Sequence, residues 1–180
     1  MAESEPRGPV LLIDGRSGSG KTELAAAIVE SSEIQLVRLD DLYPGWDGLE
    51  EGSASVVRLL IEHRWQSWDW SADAPNGWHL IDPRLPLVIE GMGSISTRSR
   101  SRADFAVWVE LDAAARKSRA IARDGDAYAP HWSRWAAQEE EYIEREHPHL
   151  LADEVIDGAD AVSHAARWRR TLLNQPQPRS

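Results

Sequence analysis

The stretch VLLIDGRSGSGKTELAAAI (residues 10–28) sets five strand-forming residues before three glycines and a lysine, then continues as a run of helix formers. Lysine is rare in this chain: among 20 basic residues only Lys21 and Lys117 are lysines. One of the two stands where the pattern leaves no room for arginine. Gly15-Arg16-Ser17-Gly18-Ser19-Gly20-Lys21-Thr22 fits G-x-x-x-x-G-K-[ST], placed between strand and helix as that pattern requires.

Such a loop has a physical purpose. Its glycines let the backbone turn inward, so that successive N–H groups point at one anion. The N-terminus of the following helix adds partial positive charge at the same place. Lys21 is read as reaching the β- and γ-phosphates of a nucleoside triphosphate as a compact point charge, where a planar guanidinium would fit poorly. Thr22 offers a hydroxyl to Mg²⁺. Gly15, Ser17, Gly18, Ser19, Gly20, Lys21 and Thr22 are therefore the expected nucleotide-binding residues.

At 180 residues the chain is expected to form one domain, residues 1–180, with an ordered core of about 8–173 and short flexible tails. A net charge of -10 argues against a nucleic-acid partner, which would need a basic face. There is no cysteine, so disulfides and thiolate metal sites are excluded. MAESEPRGPV lacks a signal-peptide pattern and no apolar run approaches membrane-spanning length, so a cytoplasmic protein without membrane contact is expected.

Working outward, strands are expected at residues 10–14, 34–39, 85–90 and 105–111, with a short last one around Val155 and Ile156. Helices are expected at 21–31, 53–65, 113–123 and 132–146. Short apolar strands separated by helices imply an α/β fold, a parallel sheet covered on both faces. Residues 123–132 carry glycine, two aspartates and a proline between two helices, and are expected to be a loop that is mobile without ligand and ordered with MgATP and acceptor bound.

A GTP-driven switch would carry D-x-x-G and N-K-x-D. No aspartate is followed three residues later by glycine, and neither Asn76 nor Asn174 precedes lysine. A kinase instead needs a base beside the acceptor and a second acidic group for the metal. Asp40 and Asp41 follow the second strand in VRLDDLYPG, and Glu90 follows the third in LVIEGMG. The carboxyl ends of parallel strands open on one crevice, so these carboxylates can face each other across a bound phosphate.

These residues carry a resemblance. The chain resembles the uridine kinase and phosphoribulokinase branch of P-loop small-molecule kinases. LDDLY at residues 39–43 is similar to that branch's D-[SD]-[FL]-Y, and Glu90-Gly91 to its EG. Asp112 with Arg116, Arg119, Arg123 and Asp124 is similar to an aspartate followed by R-x-x-R-x-x-x-R-D. ADEVI at 152–156 resembles A-D-x-[VI]-[IV], and Trp68-Asp69-Trp70 resembles Y-D-F. The matches run in order over residues 10–157.

The resemblance implies a P-loop NTPase fold with about five parallel strands, helices on both faces and a small lid. It implies transfer of the γ-phosphoryl group of ATP to a hydroxyl of a nucleoside or related small molecule. Asp40 would be the base, with Lys21, Arg119 and Arg123 at the phosphates. Thr22 and Glu90 would hold Mg²⁺. Asp40, Tyr43 and Asp69 would line the acceptor pocket. Where the nucleoside kinases carry a histidine- and arginine-containing segment, this chain has Ser71-Ala72-Asp73-Ala74-Pro75.

Nine tryptophans are many for this length, and Trp46, Trp68, Trp70, Trp78 and Trp132 are expected in loops near the crevice, where Trp68 and Trp70 could stack on an acceptor. Trp108 is expected in the core. The run TRSRSR at residues 97–102 and the acidic residues 139–141 are read as solvated. The element His147-Pro148-His149 is read as a helix end. Kinases for a sugar acid, an antibiotic or a nucleoside monophosphate stay open alternatives, as does a non-catalytic ATP-binding regulator, although LDDLY counts against a regulator. A monomer and a homodimer are both compatible with this reading.

Overall fold

The computed structural model describes residues 7–174. In chain order the elements are β1 (Val10–Asp14), α1 (Lys21–Val29), β2 (Gln35–Arg38), α2 (Leu49–Glu62), β3 (Arg64–Asp69), β4 (Ala74–Leu80), β5 (Leu87–Glu90), α3 (Thr97–Arg100), β6 (Phe105–Glu110), α4 (Ala113–Tyr128), α5 (Trp132–Glu146), α6 (Pro148–Leu151), β7 (Glu154–Asp157) and α7 (Ala165–Leu173). β1 is buried at every residue and lies at the centre of a five-stranded sheet of order β2-β5-β1-β6-β7. All its pairings are parallel.

Strand alternation sends the side chains of β1 into two cores. Leu11 and Ile13 pack with Leu24 and Ile28 of α1 and with Trp168 and Leu172 of α7. Val10 and Leu12 pack with Val56 and Leu59 of α2 and with Trp135 and Tyr142 of α5. This is the α/β P-loop fold that the opening stretch implied. Trp108 of β6 is core, as expected, at 2% exposure.

Four local expectations are corrected. The helix expected at 53–65 starts earlier and stops at Glu62, where His63 turns left-handed (φ 53°). The chain then forms an antiparallel hairpin, β3 paired with β4, with a bulge between Gln66 and Trp68. Most of its residues stay exposed, so the apolar alternation that marks a half-buried strand is missing from its sequence.

Residues 123–132 are not a loop. α4 continues to Tyr128 through a kink at Gly125 (φ 57°, ψ -139°), and a 3₁₀ turn leads into α5. Tyr128 anchors this segment: it is buried and stacks on Trp46 with ring centroids 5.5 Å apart.

The run at 97–102 contains α3, closed by a Ser96–Ser99 capping box. Arg100 within it donates to Asp153 and to the Leu151 carbonyl, tying α3 to the entrance of β7. In the acidic run Glu139 is buried at 1% exposure. His147 does end α5, in the left-handed region, and Pro148 opens α6. Among the described residues no helix is long and apolar enough to cross a membrane.

Candidate active site

The glycine loop runs from the end of β1 into α1. Gly18 has φ +80°, and a Cβ there would stand 2.1 Å from the Arg116 carbonyl oxygen. Gly20, at φ +104°, is the N-cap of α1, and no side chain caps that helix. Its first-turn N–H groups are therefore presented to an incoming anion. Lys21 is the first residue of α1, and its Nζ donates to the Arg16 carbonyl at 3.4 Å. Ser19 Oγ is buried without a hydrogen-bond partner. An uncapped helix start, a glycine cradle and an orphaned hydroxyl all fit a bound triphosphate.

Asp14, which sequence reasoning passed over, holds the loop from behind. Its carboxylate accepts from the N–H groups of Gly15 (2.7 Å), Ile95 (2.8 Å) and Gly93 (3.1 Å). Burial lifts its carboxyl to about 7, while those backbone donors and Lys21 pull the other way. A carboxyl raised on folding binds its proton more tightly in the native state. The stability it contributes is full below about 3.8 and is lost as pH rises through about 7. The ligand-free protein is expected to lose on the order of a few kcal/mol between those values, read by urea denaturation across pH. Glu90, raised by burial to about 7 as well, contributes in the same window, so the Asp14 share is read as the part of the slope that Asp14→Asn removes, and a flat wild-type profile would mean that neither carboxyl is raised.

Glu90, the last residue of β5, lies beside the first turn of α1. Thr22 Oγ1 donates to its Oε1 at 3.2 Å, so the two residues assigned to Mg²⁺ meet across 68 positions of sequence. Arg38 Nε lies 3.9 Å from the same oxygen. Burial raises the Glu90 carboxyl to about 7, opposed by Lys21 and reinforced by Asp40. A hydroxyl and a carboxylate facing the phosphate loop are a donor set that suits Mg²⁺.

Beside the loop opens a cavity of about 310 Å³. Ser17, Lys21, Asp40 and Arg123 line it together with Tyr43, Trp46, Trp70, Met92, Tyr128 and Trp135. Asp40 sits in the 3₁₀ turn Leu39–Asp41 after β2, and its carbonyl accepts from Trp70 Nε1 at 2.8 Å. Asp41 is not in the lining. Its carboxyl is raised by burial and then by the charge of Asp40. Tyr43 is part of the cavity wall, packed edge-on against Trp135 at 4.7 Å.

Two expected pocket residues are not brought there. Trp68 lines a separate groove between the hairpin and α2, along with Trp78. Asp69 uses Oδ1 to accept from the N–H groups of Ser71 and Ala72, closing the hairpin turn. The bulge after Gln66 and the end of β3 at Asp69 separate the Trp68 and Trp70 indoles. Trp132 is not in a loop; it begins α5 and meets Tyr128 edge-on.

The arginines of α4 divide their tasks. Arg123 lines the aromatic cavity, the small space over Gly18, Gly20, Lys21 and Thr22, and a third cavity that reaches Gly158 and Val162. Arg119 lines the last two, and its Nη1 donates to the Gly158 carbonyl at 3.0 Å. Arg116, although on the same helix face by spacing, is buried, with Nε on the Leu111 carbonyl.

Glu139 of α5 is the second residue that sequence reasoning missed. Its carboxylate accepts from the Ser17 N–H at 2.7 Å, from Arg16 Nε at 3.0 Å and from Trp135 Nε1 at 3.1 Å. It thereby clamps α5 to the phosphate loop. Trp135, Glu139 and Tyr142 are spaced i, i+4, i+7, and a carboxylate sharing the face of two aromatics was the available signal. Glu139→Ala leaves the Ser17 N–H and Trp135 Nε1 without their acceptor, while Arg16 keeps Glu140 and the Ala136 carbonyl, and is expected to lower unfolding free energy by about 1–3 kcal/mol. Glu139→Gln, which keeps an acceptor oxygen, should cost less. Wild-type urea midpoints for both would remove this clamp.

No protein-family model and no curated protein sequence matches the chain. Among solved structures the fold is that of P-loop kinases. A possible uridine kinase from Bacillus stearothermophilus is similar with a TM-score of 0.58 at 22% identity, over 87% of this chain and 92% of that one. A shikimate kinase from Bacteroides thetaiotaomicron is similar with a TM-score of 0.55 at 12% identity, over 93% and 99%. A gluconokinase from Sinorhizobium meliloti has a TM-score of 0.52 at 17% identity, over 96% and 99%. At these identities the likeness is one of fold, and the acceptors in the three names differ.

Proposed function

We propose that the protein is a small-molecule kinase that passes the γ-phosphoryl group of ATP to a hydroxyl, similar in plan to uridine kinase, with a nucleoside or related small molecule as acceptor. One observation carries this reading: Lys21 of the phosphate loop and the Asp40 carboxylate line the same cavity. A regulator that only senses a nucleotide has no use for a carboxylate there.

Asp40 takes the proton of the acceptor hydroxyl as its oxygen bonds to the γ-phosphorus, and the bond from that phosphorus to the bridging oxygen of ADP breaks. Lys21 and the N–H groups at the start of α1 hold the β- and γ-phosphates in line. Arg119 and Arg123 of α4, beside the triphosphate path, neutralise charge on it and close over it as a lid. Thr22 and Glu90 would hold Mg²⁺, which when bound neutralises charge on the phosphate oxygens. The cavity reaching Gly158 and Val162 suits the far end of the nucleotide.

The test is acceptor-dependent ADP release across nucleosides, sugars, sugar acids and aryl alcohols. Release that stays at the ATP-only background with every acceptor, while MgATP still binds, would point to the regulator instead.

A further inference from the structure

One oxygen of Glu139 serves both halves of the site. Its Oε1 accepts from the Ser17 N–H of the phosphate loop at 2.7 Å and from Trp135 Nε1 at 3.1 Å, and Trp135 is part of the wall of the neighbouring cavity. The other oxygen, Oε2, accepts from Arg16 Nε at 3.0 Å. Glu139 is 1% exposed and Trp135 5%, so water does not compete for these bonds. A carboxylate oxygen that accepts two N–H groups in a buried place is fixed there.

The Arg16–Ser17 peptide is held on both sides. Its N–H goes to Glu139, and its carbonyl accepts from the Ser19 N–H at 3.1 Å and from Lys21 Nζ at 3.4 Å. The resting place of the Lys21 ammonium is therefore set by a peptide plane that Glu139 orients. On the other side, Trp135 packs edge-on against Tyr43, and both rings line the cavity that Lys21 and Asp40 share. Phosphate loop and cavity wall thus meet at one side chain, across 122 positions of sequence between Ser17 and Glu139.

Tyr142, less than a turn further along the same face of α5, docks the helix by another route. Its hydroxyl meets the Ile95 carbonyl at 2.8 Å and the Ser53 hydroxyl at 3.0 Å. Loss of Glu139 therefore frees the register between loop and wall and leaves the helix in place. Phosphoryl transfer is sensitive to that register. The attacking oxygen and the γ-phosphorus must meet in line at about 3–3.5 Å, and a displacement of about 1 Å can cost about 10²-fold in rate.

Resting on the kinase reading above, we propose that Glu139 is a positioning residue for phosphoryl transfer, whose Oε1 holds the phosphate loop and the acceptor wall in one register. Its removal slows the transfer step while each half still binds its own ligand. The role belongs to the shared oxygen and not to the negative charge. Arg16, the ion-pair partner, also reaches Glu140 and the Ala136 carbonyl, so its charge has a second holder.

Two variants separate oxygen from charge. Glu139→Gln keeps an acceptor for both N–H groups, and Glu139→Ala keeps none. Glu139→Ala is expected to lower kcat for ADP release about 10²-fold, with KM for MgATP and for the acceptor each within about threefold of wild type. Glu139→Gln should return to within about tenfold of wild type. Trp135→Phe keeps an aromatic ring in the wall but removes the indole N–H. It should cost part of the same loss and add little when combined with Glu139→Ala. Arg100→Ala cuts the tie of α3 to the entrance of β7 and is no part of the cavity. It should lower the melting temperature without changing kcat, as Glu139→Ala would if its role were structural only.

A second readout needs no turnover. A non-hydrolysable ATP analogue with Mg²⁺ is expected to shift the Trp135 indole N–H resonance, identified by its loss in Trp135→Phe. The shift should appear in wild type and Glu139→Gln and vanish in Glu139→Ala. A shifted indole with no ADP release from any acceptor would sink the kinase reading and uphold the register held by the shared oxygen. Wild-type kcat in Glu139→Ala, or a Glu139→Gln as slow as Glu139→Ala, would overturn the shared oxygen while the kinase reading stands. An indole that the analogue leaves unmoved in wild type overturns it too.

Discussion

Asp40→Asn leaves MgATP binding near wild type and lowers acceptor-dependent phosphoryl transfer by about 10²–10⁴-fold, the usual worth of a positioned general base. The geometry behind this is specific. Asp40 lines the cavity that also holds Lys21, and Trp70 grips its carbonyl, fixing the turn that aims it. Asp41 is outside the lining, so Asp41→Asn should be far milder. Calorimetry with MgATP separates binding from turnover, and ADP release with the best acceptor gives the rate. If Asp41→Asn is the inactive variant and Asp40→Asn is not, the base stands one residue further on. If both variants turn over normally, the site has no carboxylate base.

Lys21→Ala is expected to lower turnover by about 10²–10³-fold, as loss of one preorganised charge at a transferring group does. Binding of MgATP should weaken with it, because the ammonium supplies charge-assisted hydrogen bonds to the phosphates. The fold should survive. Among the described residues Lys21 Nζ makes one hydrogen bond, to the Arg16 carbonyl at 3.4 Å, and alanine is a good residue for the first turn of α1. Circular dichroism and a thermal melt check the fold, and an ATP titration checks the site. Unchanged turnover in a folded Lys21→Ala protein would remove the basis for a nucleotide site at this loop.

Much of this site was legible in the chain before folding. The glycine loop, the apolar strands around it and the carboxylate at the end of β5 announce themselves within windows of a few residues. Their signals are local: glycines at positive φ, short apolar runs, and a helix start straight after the loop. Because every strand of a parallel sheet opens on the same edge, the meeting of Thr22 and Glu90 follows from order along the chain.

Other features depended on contacts that no window contains. Asp40 and Asp41 are equivalent as neighbours in sequence. A 3₁₀ turn rotates successive side chains by about 120°, and so sends only one into the cavity. Glu139 and Glu140 differ in the same way. One is buried against the phosphate loop and the other is exposed on the far side of Arg16, because a helix turns about 100° per residue. The hairpin stayed hidden because its mostly exposed strands carry no apolar alternation, and its pairing moved Trp68 and Asp69 away from the site they were expected to line. The acceptor cavity is the furthest case. Trp46, Trp70, Tyr128 and Trp135 become one wall only when a loop, a hairpin and two helices pack around the phosphate loop. The phosphate loop was therefore written in local backbone chemistry, whereas the pocket beside it exists only through packing between segments far apart in the chain.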